Sequence, residues 1–400
     1  MPLSPDTSPF YTYSTKIVEA SHPRYPGSVV LDKPTPNAED YRLVVTYRKY
    51  VTTDKDVQGR TPLNLVFCHG NGMNKGLWHY HINKLFIKYR QSKYYVNEVL
   101  ALDHVNHNDA AIINRGKLGS VYNWSDMAKD IIQIVKHNEW RTFQKPGSLN
   151  FLIAHSMSGF ASLVVALEEP NLFTAIMPVN PVAHQTEEYR GLIREAYTKW
   201  YETNKLIDTF KIPDGVHWKT YIKNWYLKDS FFKRFHPAVL DNMIEDEIPS
   251  WYDENTHYNE VQLKHEVSQE YITYFSAFDS VTNKMPVYQG ICTPIYHVWA
   301  EFDGILPEGV KFIRDNLKDV VIPIDLPGTY HSVNGDNPDL IIEQIDRMIN
   351  DRIAIADSTF SKNDFGYKKQ YGDGYKDSLI KATFKENLPL ALEGSFKHKL

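Results

Sequence analysis

The chain has 400 residues, of which 42% are hydrophobic and 23% charged, and its formal net charge is -5. This composition is typical of a globular protein with a sizeable core, and the acidic balance offers no basic face, so we expect no nucleic-acid partner. No window approaches the roughly 18 apolar residues of a membrane span, so we expect no transmembrane segment. The two cysteines, Cys68 and Cys292, lie in apolar runs, which excludes a disulfide framework.

Apolar, strand-like segments alternate with helix-like segments along most of the chain. Strands are predicted at 41–47, 64–68, 99–102, 149–154, 175–179, 295–299 and 320–324, and helices at 125–137, with Ser125 as its cap, at 157–168 and at 338–352. Unbroken apolar runs are typical of strands covered on both faces, and helices between them indicate right-handed parallel crossovers. We therefore predict an α/β fold with a mostly parallel central sheet and helices on both faces.

The alternation stops between residues 184 and 290, where the sequence is helical in character and dense in aromatic residues. Aromatic residues at helical spacing usually pack in a core. An insertion that follows a strand near the active edge of a sheet is nevertheless well placed to act as a lid, and an apolar lid favours a hydrophobic substrate. We divide the chain into a core at 1–183 and 291–353, a helical cap at 184–290, and a polar C-terminal extension at 354–400.

The segment NFLIAHSMSGF, residues 150–160, interrupts an apolar strand with small and polar residues. Ala154 and Ser158, two places before and after Ser156, would let a strand turn sharply into a helix with Ser156 at its tip. This is the G-x-S-x-G arrangement of a serine nucleophile. An isolated match of five residues is more typical of a serine in a solvated loop, so other residues must decide between the two interpretations.

Two later strand ends carry the partners that a serine nucleophile needs. A serine hydroxyl requires a base within hydrogen-bond reach and a carboxylate that orients the base, in the chain order Ser, Asp or Glu, His in α/β-hydrolases. Asp303 follows one predicted strand, and His331 follows the next. Glu301 is a rival carboxylate, and Asp303 could instead cap a helix. We predict Ser156, Asp303 and His331 as a catalytic triad. By strand alternation His155 should point to the opposite side, as a packed neighbour and not as the base.

Two backbone N–H groups are needed to stabilise the oxyanion that forms in acyl transfer. We predict those of Met157, at the start of the helix after Ser156, and of Asn71, in the glycine-rich turn after a strand. This turn also invites a phosphate-binding interpretation. However, the G-x-G-x-x-G pattern fails at Lys75, and G-x-x-x-x-G-K-[ST] is absent from the sequence. We expect no nucleotide, no other cofactor and no metal.

Longer stretches of the core carry a recognisable pattern, namely 63–75 (LNLVFCHGNGMNK), 103–110 (DHVNHNDA), 114–119 (NRGKLG), 123–124 (NW), 170–173 (PNLF) and 337–343 (NPDLIIE). These stretches resemble the yeast peroxisomal lipase family of α/β-hydrolases and related fungal toxin-biosynthesis hydrolases. The resemblance implies the α/β-hydrolase fold and a cofactor-independent serine hydrolase of acyl esters, with Ser156 and His331 at the nucleophile and base positions.

Two positions depart from the family pattern. The family's G-H-S-M-G-G reads AHSMSG at 154–159, which keeps small residues but crowds the turn. The glycine of N-H-G-D-S-A is Asn108, a residue that also adopts the left-handed conformation.

The chain ends in His398-Lys399-Leu400, and its last two residues match the peroxisomal address S-K-L. With the family resemblance, this ending predicts recognition by the peroxisomal import receptor and a location in the peroxisomal matrix. Transient contact with a lipid surface is compatible with a hydrophobic acyl-ester substrate.

The sequence therefore predicts a serine lipase or esterase that works through an acyl-enzyme intermediate. An acyl-CoA thioesterase or acyltransferase with the same triad is the alternative among enzymes. A catalytically silent hydrolase fold that binds a hydrophobic ligand or a peroxisomal partner is the alternative from another class. A serine in place of an aspartate argues against epoxide hydrolases and haloalkane dehalogenases, whose covalent intermediates need a carboxylate.

Overall fold

The computed structural model describes residues 8–184, 187–281, 288, 290–303 and 307–359. Its centre is an eight-stranded sheet in the order β1-β2-β4-β3-β5-β6-β9-β10. The strands are β1 (Tyr11–Glu19), β2 (Val44–Thr52), β3 (Thr61–Cys68), β4 (Tyr94–Asp103), β5 (Leu149–His155), β6 (Ala175–Val179), β9 (Ile295–Phe302) and β10 (Val321–Tyr330). β2 pairs antiparallel with both β1 and β4, and the remaining neighbours are parallel.

Helices cover both faces of this sheet. The apolar cluster on one face includes α1 (His79–Lys88) and α13 (Pro338–Thr359), and the cluster on the other includes α3 (Trp124–Gln133), α5 (Met157–Glu168) and α11 (Pro307–Asn316). Side chains alternate along a strand, so neighbouring residues of β3, β4 and β5 enter opposite clusters. Burial on both faces explains why these strands have unbroken apolar sequences.

The remaining helices are α2 (Asn108–Asn114), α4 (Trp140–Phe143), α6 (Glu187–Glu202), α7 (Trp218–Lys228), α8 (Pro237–Glu247), α9 (Val267–Phe275), α10 (Ala277–Val281) and α12 (Val333–Asp336). Short 3-10 turns span Ala38–Tyr41 and Lys75–Trp78, and a π-helical turn, Ile134–Asn138, follows α3. Two short strands, β7 (Thr209–Lys211) and β8 (Glu260–Gln262), pair antiparallel outside the main sheet.

Residues 187–281 pack in two groups. α7 and α8 join the apolar cluster of the α1 and α13 face, through side chains such as Trp218 and Leu240. α6 and α9 form a smaller cluster around Tyr197, Leu206 and Val267. Within the described ranges, every helix is too short or too polar to cross a membrane.

The predicted α/β fold with a mostly parallel sheet and a helical insertion is confirmed. The predicted cap of α3 is wrong, because the side chain of Asn123 accepts a hydrogen bond from the N–H of Ser125 and the helix begins at Trp124. Asn and Ser are both favoured as the residue that caps a helix N-terminus, so residue type alone does not distinguish Asn123 from Ser125. The structure does, because the backbone of Asn123 is extended, as a capping residue requires. β1 was not predicted, since this edge strand is largely exposed and its sequence, YTYSTKIVE, lacks an apolar run.

Candidate active site

Ser156 lies at the turn between β5 and α5. Its backbone has φ 57° and ψ -115°, a conformation that is strained for a residue with a side chain. Two glycines make room for this turn. A Cβ at Gly70 would lie 3.2 Å from Cβ of Ser156, and a Cβ at Gly159 would lie 2.7 Å from Cβ of Pro181. The turn therefore presents Ser156 at the carboxyl ends of the parallel strands.

The side chains of Ser156, His331 and Asp303 meet at this edge. Nε2 of His331 lies 3.0 Å from Oγ of Ser156, and Nδ1 of the same ring is hydrogen bonded to Oδ1 of Asp303. Ser156 and Asp303 are buried, with 7% and 8% of their surface exposed. When Nδ1–H donates to the carboxylate, Nε2 is free to accept the serine proton. The geometry is therefore suited to activating Ser156 as a nucleophile.

Glu301, the rival carboxylate, lies elsewhere. Its Oε2 accepts a hydrogen bond of 2.7 Å from the backbone N–H of Gly328, next to an irregularity in the pairing of β9 and β10. The structure thus brings Asp303, and not Glu301, to the histidine.

Two buried side chains hold the backbone carbonyl of His331. Nε2 of His155 lies 3.0 Å from this oxygen and Nδ2 of Asn180 lies 2.7 Å from it. Burial, and then the neighbouring His331, lower the pKa of His155 well below its usual value, so it is a neutral imidazole that donates from Nε2. His155 is packed, as expected, but it packs against the His331 ring.

Asn180 is a further residue of this site that the sequence alone does not indicate. It follows β6 directly, has a φ of 45°, and accepts a hydrogen bond of 2.8 Å from the N–H of Ala300 on β9. The one signal in the sequence was its position at a strand end, where polar side chains often contribute to sites in α/β folds.

The loop that follows β3 borders the pocket above Ser156 through Asn71 and Met73. Gly72 in this loop has a φ of 71°, and its N–H donates to Nε2 of His107 over 3.3 Å. The side chain of Asn71 donates to the backbone carbonyl of Glu270 on α9 over 3.0 Å. The loop is therefore fixed to the core on one side and to α9 on the other. Met157, the other predicted oxyanion residue, begins α5, so its N–H has no intrahelical acceptor.

A pocket of about 900 Å³ contains Ser156 and His331 in its wall. Much of its apolar lining comes from residues of the predicted cap, among them Leu192, Ile193, Trp200, Phe231, Phe232 and Tyr274. Four basic side chains also line it, namely Lys199, Lys205, Lys233 and Arg234. The aromatic wall was expected from the sequence, and the basic side chains were not.

A buried ion cluster lies beside the loop that follows β3. Nζ of Lys75 lies 2.6 Å from Oδ2 of Asp103, 2.7 Å from Oδ2 of Asp109 and 2.9 Å from Oδ1 of Asn108. Burial opposes the charge of Lys75, but the carboxylates around it outweigh this effect and raise its pKa. Asn108 has a φ of 48°, so the left-handed conformation expected where the family has glycine is present.

The described parts of the chain hold no group of three or more His, Cys, Asp or Glu side chains arranged to bind a metal ion. Both cysteines are free thiols, Cys68 buried and Cys292 half-buried. The predicted targeting residues His398, Lys399 and Leu400 lie outside the described residues.

Comparison with known proteins places this site in a family. Residues 64–338 match the profile of the alpha/beta hydrolase fold family. The peroxisomal membrane protein LPX1 of Saccharomyces cerevisiae is 29% identical over 396 residues, 92% of this chain and 97% of the relative. The structure of the yeast peroxisomal alpha-beta-hydrolase Lpx1 matches with a TM-score of 0.73 at 25% identity, covering 98% of this chain and 99% of the other.

A second relative is the type I acyl-CoA thioesterase mpaH' of Penicillium brevicompactum, which is 26% identical over 196 residues, 48% of this chain and 42% of the relative. The predicted resemblance to the peroxisomal yeast hydrolase is confirmed. The fold, the serine turn and these matches together lead to one conclusion: the chain belongs to the alpha/beta hydrolase fold family.

Proposed function

We propose that this protein is a serine hydrolase of carboxylic esters that acts on hydrophobic acyl groups. Oγ of Ser156 attacks the ester carbonyl carbon while Nε2 of His331 takes up the hydroxyl proton. The tetrahedral intermediate then expels the alcohol, which receives that proton, and leaves an acyl group on Ser156. His331 next removes a proton from water, whose oxygen attacks the acyl-enzyme and releases the acid.

Three further groups assist these steps in the proposal. Asp303 orients His331 and stabilises its imidazolium form. The backbone N–H groups of Asn71 and Met157 stabilise the oxyanion of both intermediates.

One observation carries the proposal. The hydroxyl of a strained serine lies 3.0 Å from a histidine whose other nitrogen is bonded to a buried carboxylate. A hydrogen-bonded chain of this kind serves to raise the nucleophilicity of the serine, and the apolar pocket beside it suits an acyl chain.

Two observations favour hydrolysis of acyl-CoA thioesters as a second candidate function. The relative from Penicillium is named a thioesterase, and the pocket is lined by four basic side chains that would attract the phosphates of coenzyme A.

Hydrolysis of p-nitrophenyl esters from acetyl to palmitoyl, beside the matching acyl-CoA thioesters, tests the proposal. We expect activity that rises with chain length and falls by about a million-fold, to background, in Ser156→Ala. Labelling by a fluorophosphonate should disappear in the same variant.

Ser162→Ala is the matched control, because Ser162 is buried on α5, the helix that follows Ser156, and its hydroxyl donates to the carbonyl of Gly159. It should keep both activity and labelling. A wild-type protein that is neither active nor labelled would support the silent binding fold instead, and a strong preference for thioesters would support the second candidate.

We also propose a location in the peroxisomal matrix. The name of the yeast relative supports the organelle, and the absence of a membrane-crossing helix among the described residues is compatible with the matrix. Co-localisation of a fluorescent fusion with a soluble matrix marker, and its release by organelle lysis without detergent, would test this location.

A further inference from the structure

Glu270 places a carboxyl group in the wall of the pocket that holds Ser156 and His331. It lies in the first turn of α9, and its backbone carbonyl accepts the hydrogen bond from the side chain of Asn71. The carboxyl itself lies against the loop, since its Oε1 would be 2.8 Å from a Cβ on Gly72. Glu270 therefore faces the pocket next to the proposed oxyanion hole.

The carboxyl of Glu270 takes no part in the steps of the proposed reaction. In the described part of the chain, its oxygens have neither a hydrogen-bond donor nor an ion-pair partner within contact distance, although the backbone of the same residue is fully engaged. The residue is half-buried and its carboxyl borders the open pocket, so a ligand that enters takes this group out of water, and a donor supplied by the ligand would replace the hydrogen bonds that water made.

Several surroundings bear on the protonation state of Glu270. Its pKa is raised to about 7, because burial and the charges of Glu247 and Asp208 together outweigh the opposing charge of His265. The carboxyl is thus not a fixed negative charge at neutral pH, and in either protonation state it has an oxygen that accepts a hydrogen bond.

The other charges in the pocket limit what the donor can be. The four basic side chains of the lining outnumber its other two carboxyl groups, those of Asp303 and Asp336, and so disfavour a cationic ligand. The adjacent wall is aromatic and includes Tyr197 and Tyr274. The pKa of each tyrosine is raised by burial and, to a smaller extent, by the charge of Glu270. A neutral hydroxyl group attached to an apolar chain fits both conditions.

We propose that Glu270 is a specificity-determining residue that accepts a hydrogen bond from a hydroxyl group of the substrate, close to the ester bond. The inference rests on the proposed function and names its substrate class, namely acyl esters with a hydroxyl near the reacting carbonyl. This hydroxyl comes either from the acyl chain, as in a 3-hydroxyacyl ester, or from the alcohol, as in a monoester of glycerol.

The test compares two pairs of soluble esters that differ by hydroxyl groups alone. Methyl 3-hydroxyoctanoate against methyl octanoate examines the acyl side, and monooctanoyl glycerol against propyl octanoate examines the alcohol side. In one of the pairs, we expect kcat/KM to be at least about tenfold higher for the hydroxylated ester, as for one hydrogen bond to a carboxyl group. In Glu270→Met this ratio should fall to about one, and in Glu270→Gln part of it should remain.

Glu266→Met is the matched control, because Glu266 precedes α9 and pairs with Arg115 away from the pocket lining. It should keep the wild-type ratio. A ratio near one in both pairs for the wild-type protein, or an unchanged ratio in Glu270→Met, overturns the proposal.

Binding to Ser156→Ala, measured by calorimetry, separates this inference from the proposed function. We expect the hydroxylated member of the preferred pair to bind at least about tenfold more tightly, and the difference to vanish when Glu270→Met is added. If no ester is hydrolysed but this difference is present, the proposed function fails and the role of Glu270 stands. Equal binding within both pairs overturns the role of Glu270.

Discussion

Asn180 combines two properties at the end of β6. Its φ of 45° lies in the left-handed region, which asparagine tolerates better than most residues with a side chain. Its side chain joins β9 to the carbonyl of His331. The position of the proposed base therefore depends on a residue that does not line the pocket.

We expect Asn180→Gly to lower kcat for ester hydrolysis by at least about tenfold, because His331 loses one of the two donors that fix its carbonyl. KM should change by less than about threefold, since Asn180 makes no pocket contact. The pH profile of kcat is the second readout, because a displaced histidine no longer meets Asp303 in the same geometry.

Asn180→Ala is the companion variant, since it removes the same hydrogen bonds and adds about 1 kcal/mol of backbone strain. An equal loss of kcat with a lower melting temperature would assign the effect to the side chain. Full activity in a folded Asn180→Gly protein would contradict the positioning role.

The sequence predicts Ser156, Asp303 and His331 as site residues because each follows a predicted strand, and parallel strands bring their carboxyl ends to one edge. Asn180 also follows a predicted strand, but nothing in the local sequence shows its role, and Glu270 does not lie at a strand end. The role of Asn180 depends on the pairing of β6 with β9, and that of Glu270 depends on where α9 rests, and neither is encoded in local sequence.

At the scale of elements, the end of α8 is tied to the segment before α9 and to the turn that follows the Asn71 loop. Oε1 of Glu247 accepts hydrogen bonds from the backbone N–H and Nδ1 of His265, at 2.8 and 3.0 Å. Oε2 of the same carboxylate accepts one of 2.6 Å from Asn74. One carboxylate thus joins three segments around the proposed oxyanion loop.

The Glu247–His265 pair makes stability depend on pH. Burial opposes both charges, but the partners lower the pKa of Glu247 to about 2 and raise that of His265 to about 9. The contribution of Glu247 to the free energy of unfolding is present above its ordinary pKa of 4.5 and is lost as the pH falls toward 2. The contribution of His265 is complete below its ordinary pKa of 6.5 and is lost as the pH rises through 9.

We therefore expect Glu247→Gln to lower the free energy of unfolding by about 3 kcal/mol near pH 5.5, and by clearly less near pH 9.5. Urea denaturation at the two pH values measures this difference. Glu245→Gln, on the same helix but in the more exposed pair with Lys219, should cost less than about 1 kcal/mol at either pH. Equal losses for Glu247→Gln at both pH values would contradict the ion pair.

At the scale of the whole molecule, residues 187–281 do not pack as one body of uniform stability. α7 and α8 share the large apolar cluster of the sheet, whereas α6 is mostly exposed, and Tyr197, its one buried side chain among those described, belongs to the small cluster. The fold class was predictable from strand and helix periodicity. The division between α6 on one side and α7 and α8 on the other was not predictable, because the apolar face of a helix does not specify which surface covers it.

We expect backbone amides of α6 to exchange with deuterium at least about tenfold faster than those of α7 and α8, which corresponds to about 1.4 kcal/mol less local stability. Hydrogen-exchange mass spectrometry of the full chain measures this difference. Because α6 lines the pocket, a ligand that fills the pocket should slow its exchange. Equal protection of the three helices would show that they open together.

The buried cluster of Lys75 has a consequence for the evolutionary history of this fold. Its ammonium pairs with Asp103 and Asp109, and Asp109 also pairs with Lys264, so losing Lys75 or Asp103 leaves an uncompensated charge beneath the loop that follows β3. Selection would then remove a single substitution at Lys75 or Asp103, because it destabilises the protein, before a compensating substitution arises at the partner position. These positions should therefore change together among descendants of a common ancestor, and a replacement by apolar residues should involve the lysine and its carboxylates at once.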